Sequence, residues 1–236
     1  MARLVLLHGF TQTGRSFDPL VPALAAAFDE ILAPDLPGHG PAPVAPAGLE
    51  AAADHAAAAG GRATYLGYSL GGRVALHLAL ARPELVERLV LVSTTAGLDD
   101  PAERAARRAA DDALARSLEE EGLDAFLDRW LAQPLFAGLP AGAAGVKARR
   151  ENTAAGLAGA LRSLGLGAQA ALWDRLPELA MPVLVMAGER DDRYRGLASR
   201  LVAAIGPNAT LRTVPGAGHA CHLERPAAFL DALSRK

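Results

Sequence analysis

Six short runs rich in Val, Leu and Ile recur along this chain, at 3–9, 30–36, 63–69, 88–94, 182–188 and 209–216. Most are apolar at consecutive positions. A strand with one wet face alternates apolar and polar residues, whereas a strand apolar on both faces belongs to a parallel sheet covered by helices on either side. Stretches of helical character separate the runs, at 17–28, 48–60, 70–82, 195–205 and 226–235. Alanine tracts such as "AAADHAAAA" read as helix, because Ala has the highest intrinsic helix propensity. This alternation predicts an α/β fold, a mostly parallel sheet flanked by helices. At 236 residues, 51% of them hydrophobic, the chain can bury the core of one large domain.

One gap breaks the rhythm. From Gly97 to about Leu176 no strand pattern occurs, and pieces such as "PAERAARRAADDALARSLEEE" and "GLDAFLDRWLAQ" are helix-like. A structureless loop of that length is improbable. The expected organisation is therefore a core of 1–96 and 177–236 interrupted by a helical cap, 97–176.

Charge and composition exclude several function classes. The formal net charge is -2 with no acidic or basic tail, so there is no electrostatic footprint for nucleic acid or an anionic membrane. No apolar run approaches the roughly 18 residues of a membrane span. The opening "MARLVLLHGF" lacks a small-residue cleavage site and does not read as a signal peptide. Cys221 is the single cysteine, which rules out an internal disulfide and points to the cytoplasm.

The chemistry concentrates at "YLGYSLGGRVALHLAL", residues 65–80. Gly67-Tyr68-Ser69-Leu70-Gly71 fits G-x-S-x-G between a strand and a helix, the pattern of a nucleophile elbow. A tight turn there strains the Ser69 backbone and tolerates only small neighbours. A serine hydroxyl needs a histidine and a carboxylate to become reactive, in the chain order serine, acid, histidine. "GERDDRY" supplies Asp191 or Asp192 after the fifth run, and the G-x-x-D spacing from Gly188 favours Asp191, with Asp192 suited to cap the next helix. "GAGHACHLERP" supplies His219 in a Gly-rich loop. The backbone N–H groups of Phe10, after the first strand, and of Leu70, after the serine, are the candidate oxyanion donors. His8 and His39 read as packed loop residues, and His55 and His77 as surface or packing residues on helices. His219, Cys221 and His222 lack an acidic or cysteine partner at ligand spacing, so no metal is expected. No cofactor is implied.

Taken together, "LHGF", "DLPGHG", "GYSLGGR", "GERD" and "AGHACHLERP" resemble the α/β-hydrolase superfamily in motif and in order. The cap segments "GLDDPAERAARRAADD", "FLDRWLAQPLFAGL" and "RRENTAAGLAGALRSLGLGAQAALWD", with "GYSLGGRVAL", resemble one branch. That branch comprises the MenH-like 2-succinyl-6-hydroxy-2,4-cyclohexadiene-1-carboxylate synthases of menaquinone biosynthesis. The resemblance implies a lyase that removes a proton from a cyclohexene substrate and expels pyruvate. It also implies a small-molecule, multi-carboxylate substrate held by cations. Arg73 lies one helical turn after Ser69, Arg107 and Arg150 match the branch's cap arginines, and Tyr68 and Trp130 match its pocket aromatics. By spacing alone, Arg104, Arg107 and Arg108 equally suit a solvated helix face with i,i+4 pairs. The same triad would serve a serine hydrolase (carboxylesterase, thioesterase or C–C bond hydrolase). A non-catalytic binding protein would not need all three residues. A monomer or weak homo-oligomer is expected, with no nucleic-acid or membrane partner.

Overall fold

In the computed structural model, which describes residues 1–44 and 48–235, the six runs form one sheet. Its strands are β1 (Arg3–Leu7), β2 (Glu30–Leu32), β3 (Ala63–Tyr68), β4 (Val86–Val92), β5 (Val183–Gly188) and β6 (Ala209–Val214). They lie in the order β2-β1-β3-β4-β5-β6, and every pairing is parallel. The double-sided apolarity has a direct consequence. Val5, Leu7, Tyr65, Leu89, Leu91, Val183 and Val185 point into one core layer. Their neighbours Leu4, Leu6, Leu66, Tyr68, Val90, Val92, Leu184 and Met186 point into the other. Period-two alternation of direction with no alternation of polarity demands helices on both faces.

Helices α2 (Gly48–Gly60), α3 (Leu70–Ala81) and α8 (Asp192–Ile205) cover the first face. Helices α1 (Val21–Leu24) and α10 (Pro226–Ser234), with the short α9 (Cys221–Glu224), cover the second. The helix expected over 17–28 is shorter, a 3-10 turn at Gly14–Phe17 followed by α1. Pro19 and Pro22 interrupt it, since each lacks an N–H and clashes with the preceding turn. Likewise β2 stops at Leu32, before Pro34 and Pro37.

Between β4 and β5 lie α4 (Pro101–Glu121), α5 (Leu123–Leu131), α6 (Val146–Arg149) and α7 (Ala154–Leu164). Asp100 caps α4 by accepting from the Ala102 N–H at 2.8 Å, and Thr153 caps α7 by accepting from Gly156 at 3.0 Å. These helices enclose their own small core of Ala115, Leu118, Phe126, Leu157, Ala158 and Leu161. Ala160 and Leu164 of α7, then Leu172, Trp173 and Leu176, pack into the main core, so the end of the insertion is anchored on the sheet layer.

The sheet order reverses at β1, which has β2 on one side and β3 on the other. Crossovers from β1 and β3 leave in opposite directions there, opening a crevice at the carboxyl ends of these strands. Ser69 follows one of them and Phe10 the other.

Candidate active site

Ser69 joins β3 to α3 with φ 50° and ψ -106°, a left-handed backbone that a side chain adopts only under constraint. Three hydrogen bonds hold it. Its N–H donates to the Val92 carbonyl at 2.9 Å, and its carbonyl accepts from Thr94 Oγ1 at 2.8 Å and from the Arg73 N–H at 3.2 Å. The glycines are steric requirements. A Cβ on Gly67 would lie 2.3 Å from the Gly71 carbonyl oxygen, and one on Gly71 would lie 2.0 Å from that of Leu7.

His219 is buried, with Nδ1 donating to Asp191 Oδ2 at 2.8 Å. That bond fixes the ring tautomer and leaves Nε2 free to accept a proton. Asp191 does two jobs, because its Oδ1 accepts from the Tyr194 N–H at 3.1 Å and so caps α8. The capping role expected of Asp192 therefore falls to Asp191. Asp192 instead points to solvent and pairs with Arg195 at 3.2 Å.

Ser69 and His219 line one cavity of about 640 Å³. Phe10 and Leu70 line it too. Leu70 opens α3, so its N–H has no intrahelical acceptor. The loop carrying Phe10 is braced by Gly9 N–H to Gln12 Oε1 at 3.0 Å and Gln12 N–H to the Gly9 carbonyl at 3.1 Å. The next residue, Thr11, has φ 66° and is held from the insertion. Asn152 Nδ2 donates to its carbonyl at 2.9 Å, and Arg149 donates to its hydroxyl. His8 packs the base of this loop, its Nδ1 donating to the Gly9 carbonyl and its Nε2 accepting from the Leu36 N–H. His39 is buried edge-on to it at 4.9 Å. His55 contacts the Asp35 carbonyl, and His77 is buried near Glu50.

Four arginines line the cavity: Arg73, Arg107, Arg149 and Arg193. Asp111 is the one carboxylate among the lining residues, which leaves a formal excess of three positive charges. Arg107 donates to Asp111 at 2.8 Å, so the i,i+4 pair and the cavity position coexist. Asp111 is itself pinned by the Gly167 N–H at 3.1 Å. Arg73 and Arg149 have neutral partners, Gln169 Oε1 for the first and the Ala144 carbonyl and Thr11 hydroxyl for the second. Burial pulls both guanidinium pKa values down to about 10. A ligand anion would reverse that penalty.

The structure does not bring Arg150 to the cavity. Its side chain is 56% exposed and pairs with Asp124 at 2.7 Å on the surface. The adjacent Arg149, 3% exposed, points inward instead. Of the three arginines in "AERAARR", only Arg107 lines the cavity. Arg104 donates to the Leu98 carbonyl, and Arg108 is exposed.

Trp130 and Tyr68 both line the cavity. Trp130 packs against Phe10 and Phe126 at 5.1 and 5.8 Å, and its Nε1 is buried without a partner. Tyr68 is buried, which raises its hydroxyl pKa well above the usual value. Sequence reasoning missed Arg149, Arg193, Tyr194 and Gln169. The Tyr194 ring lies 4.4 Å from that of His219. His222 packs among Phe17, Tyr68 and Phe229. Among the described residues, no cluster of three His, Cys, Asp or Glu side chains is placed to hold a metal ion. Burial pushes the Cys221 thiol up to about 12, which leaves it inert. Among the described residues no helix is long and apolar enough to cross a membrane.

Comparison with known proteins shows what the chain as a whole is similar to. A sequence model described as "Alpha/beta hydrolase family" matches residues 4–232. The 2-succinyl-6-hydroxy-2,4-cyclohexadiene-1-carboxylate synthase of Salmonella paratyphi C (strain RKS4594) is 34% identical over 244 residues, covering 98% of this chain and 92% of that protein. A relative from Bacillus subtilis (strain 168) is 38% identical over 169 residues, 70% of this chain, and the match spans 61% of that relative's length. The structure of MenH from S. aureus superposes with a TM-score of 0.85 at 30% identity, covering 98% of this chain and 91% of that one.

Proposed function

We propose that this chain, which belongs to the alpha/beta hydrolase family, is a 2-succinyl-6-hydroxy-2,4-cyclohexadiene-1-carboxylate synthase. Its substrate is then 2-succinyl-5-enolpyruvyl-6-hydroxy-3-cyclohexene-1-carboxylate, in menaquinone biosynthesis. One observation carries the reading. The cavity that holds Ser69 and His219 also holds an excess of three positive charges. The substrate bears three carboxylates, on the ring, on the succinyl arm and on the enolpyruvyl group. Planar guanidinium forks suit such groups. A simple ester would leave Arg73 and Arg149 buried without counter-charge.

His219, held by Asp191, takes the Ser69 proton. The serine oxygen then removes the ring proton beside the succinyl ketone. As that C–H bond breaks, the ring double bond shifts and the C–O bond to enolpyruvate breaks. Two conjugated ring double bonds form, and the departing enolate takes at carbon the proton that His219 holds, giving pyruvate and restoring neutral His219 and the Ser69 hydroxyl. Negative charge develops on the ketone oxygen, where the N–H groups of Phe10 and Leu70 stabilise it. Tyr68 and Trp130 wall the ring, and Arg73, Arg107, Arg149 and Arg193 hold the carboxylates. Arg150 has no part in this. A buried lone cysteine suits a cytoplasmic setting.

The test is a direct assay with enzymatically generated substrate, following pyruvate release and diene absorbance beside p-nitrophenyl acetate cleavage. Rapid pyruvate release with negligible ester cleavage is expected. Ester turnover without pyruvate would transfer the same triad to a serine hydrolase.

A further inference from the structure

Glu224 is buried, 4% exposed, one turn beyond His219. Its two carboxylate oxygens accept from the N–H groups on either side of the histidine, Oε2 from Gly218 at 2.7 Å and Oε1 from Ala220 at 3.1 Å. A charged acceptor on two N–H donors is the strongest class of bond available to a loop. The carboxylate therefore clamps the backbone immediately before and after His219. The Asp191 bond sets how the ring turns, and the Glu224 clamp sets where the ring stands.

The same carboxylate meets the insertion. Gly138 lies against it so closely that a Cβ there would sit 2.3 Å from Oε2. Gly138 follows the 3-10 turn Pro134–Phe136, whose residues line the catalytic cavity. The Phe136 ring lies 6.2 Å from that of His219. One segment of the insertion thus touches the substrate space, the histidine and the group that holds the histidine.

We propose that Glu224 is a positioning residue that sets His219 relative to Ser69 and couples that setting to residues 136–139 of the insertion. The proposal rests on the reading of Ser69 and His219 as the reacting pair. Its balance is purely conformational, because Glu224 exchanges no proton and does not touch substrate.

The test uses two variants and two readouts that need no substrate. Glu224→Gln keeps the shape but turns an N-H donor toward one of the two loop N–H groups. Gly138→Ala forces a methyl against the carboxylate from the insertion side. The first readout is the rate at which a fluorophosphonate labels Ser69, which reports activation by His219. The second is the downfield proton resonance of His219 Nδ1–H bonded to Asp191. Both variants are expected to slow labelling by about tenfold or more and to broaden or shift the resonance, with unchanged circular dichroism. In the synthase assay kcat falls while KM changes less than about twofold. The double variant is expected to lose no more than the worse single one. Unchanged labelling and resonance in a folded Gly138→Ala protein would overturn the proposal, as would additive losses in the double variant. Should Glu224→Gln not fold, Gly138→Ala alone decides by the same readouts. Absence of pyruvate release with labelling slowed as described would sink the synthase reading and leave the clamp standing.

Discussion

Arg73 donates to the amide oxygen of Gln169 at 3.2 Å, while Arg107, on the insertion helix α4, holds the Asp111 carboxylate at 2.8 Å. One guanidinium has a neutral partner and the other is already neutralised. Arg149 sides with Arg73, since its partners are a carbonyl and a hydroxyl. Losing a desolvated cation that pairs with a ligand carboxylate costs about 2–5 kcal/mol. Arg73→Met and Arg149→Met should therefore raise KM for the tricarboxylate on the order of 10²-fold. Arg107→Met should raise KM as well and should also lower stability, because it leaves the buried Asp111 carboxylate without its partner. Cleavage of a neutral ester by the same variants is the control, and equal losses on both substrates would show that these arginines support the fold.

Ser69 carries backbone strain. A non-glycine residue at φ 50° costs on the order of 1–3 kcal/mol in a position the surroundings must enforce. Ser69→Gly should relieve it, raising the unfolding free energy by about 1 kcal/mol after the entropy of glycine is discounted. Activity should vanish in the same protein. Ser69→Ala should also be inactive but no more stable. Urea unfolding of the two variants separates these outcomes. A Ser69→Gly protein less stable than Ser69→Ala would mean that the elbow is not strained.

The sheet was legible because its signal is redundant. The central strands β1, β3, β4 and β5 are apolar on both faces, and six strand-like runs between helices admit few architectures. Ser69, Asp191 and His219 were nominated because order, strand ends and glycines agree, and the structure bonds His219 to Asp191 and sets Ser69 and His219 on one cavity. The cap arginines were not legible. Helix α6 has only four residues, too few for periodicity to say whether Arg149 or Arg150 faces inward. What decides is tertiary. Arg149 reaches across 138 positions in sequence to Thr11, and no local pattern records that. Arg193 and Tyr194 lie in the first turn of α8, directly after Asp191, and it is likewise tertiary packing that sets them on the cavity.

Arg150 and Asp124 form an exposed ion pair, and such pairs contribute about 0–1 kcal/mol. Arg150→Ala should leave kcat and KM unchanged within about twofold and shift stability by less than about 1 kcal/mol. A large rise in KM in Arg150→Ala, with Arg149→Met unaffected, would return Arg150 to the site.

Acid should destabilise this protein from neutral pH downward, and the buried histidines say why, three of them with large shifts. Burial lowers His8 to about 4 and His39 to about 3. His222 falls to about 3, chiefly by burial and further through His219 and Arg149. In the unfolded chain each titrates near about 6.5. Between that value and the folded ones, the unfolded state binds more protons, so stability rises with pH. The contribution is complete above about 6.5 and is lost as pH falls toward 4, at about 1.4 kcal/mol per pH unit for each histidine. For His8 the cost has a visible cause. Its Nε2 accepts the Leu36 N–H, and a proton there would leave a buried donor unpaired. His222 offers the cleaner experiment, because neither ring nitrogen has a hydrogen-bond partner and its neighbours are Phe17, Tyr68 and Phe229. His222→Phe should keep stability at pH 7.5 within about 1 kcal/mol, an aromatic ring replacing an aromatic ring. It should also reduce the slope between pH 6.5 and 5 by about 1 kcal/mol per pH unit, measured by urea unfolding at fixed salt. A slope unchanged by the substitution would mean that His222 is protonated in the folded protein.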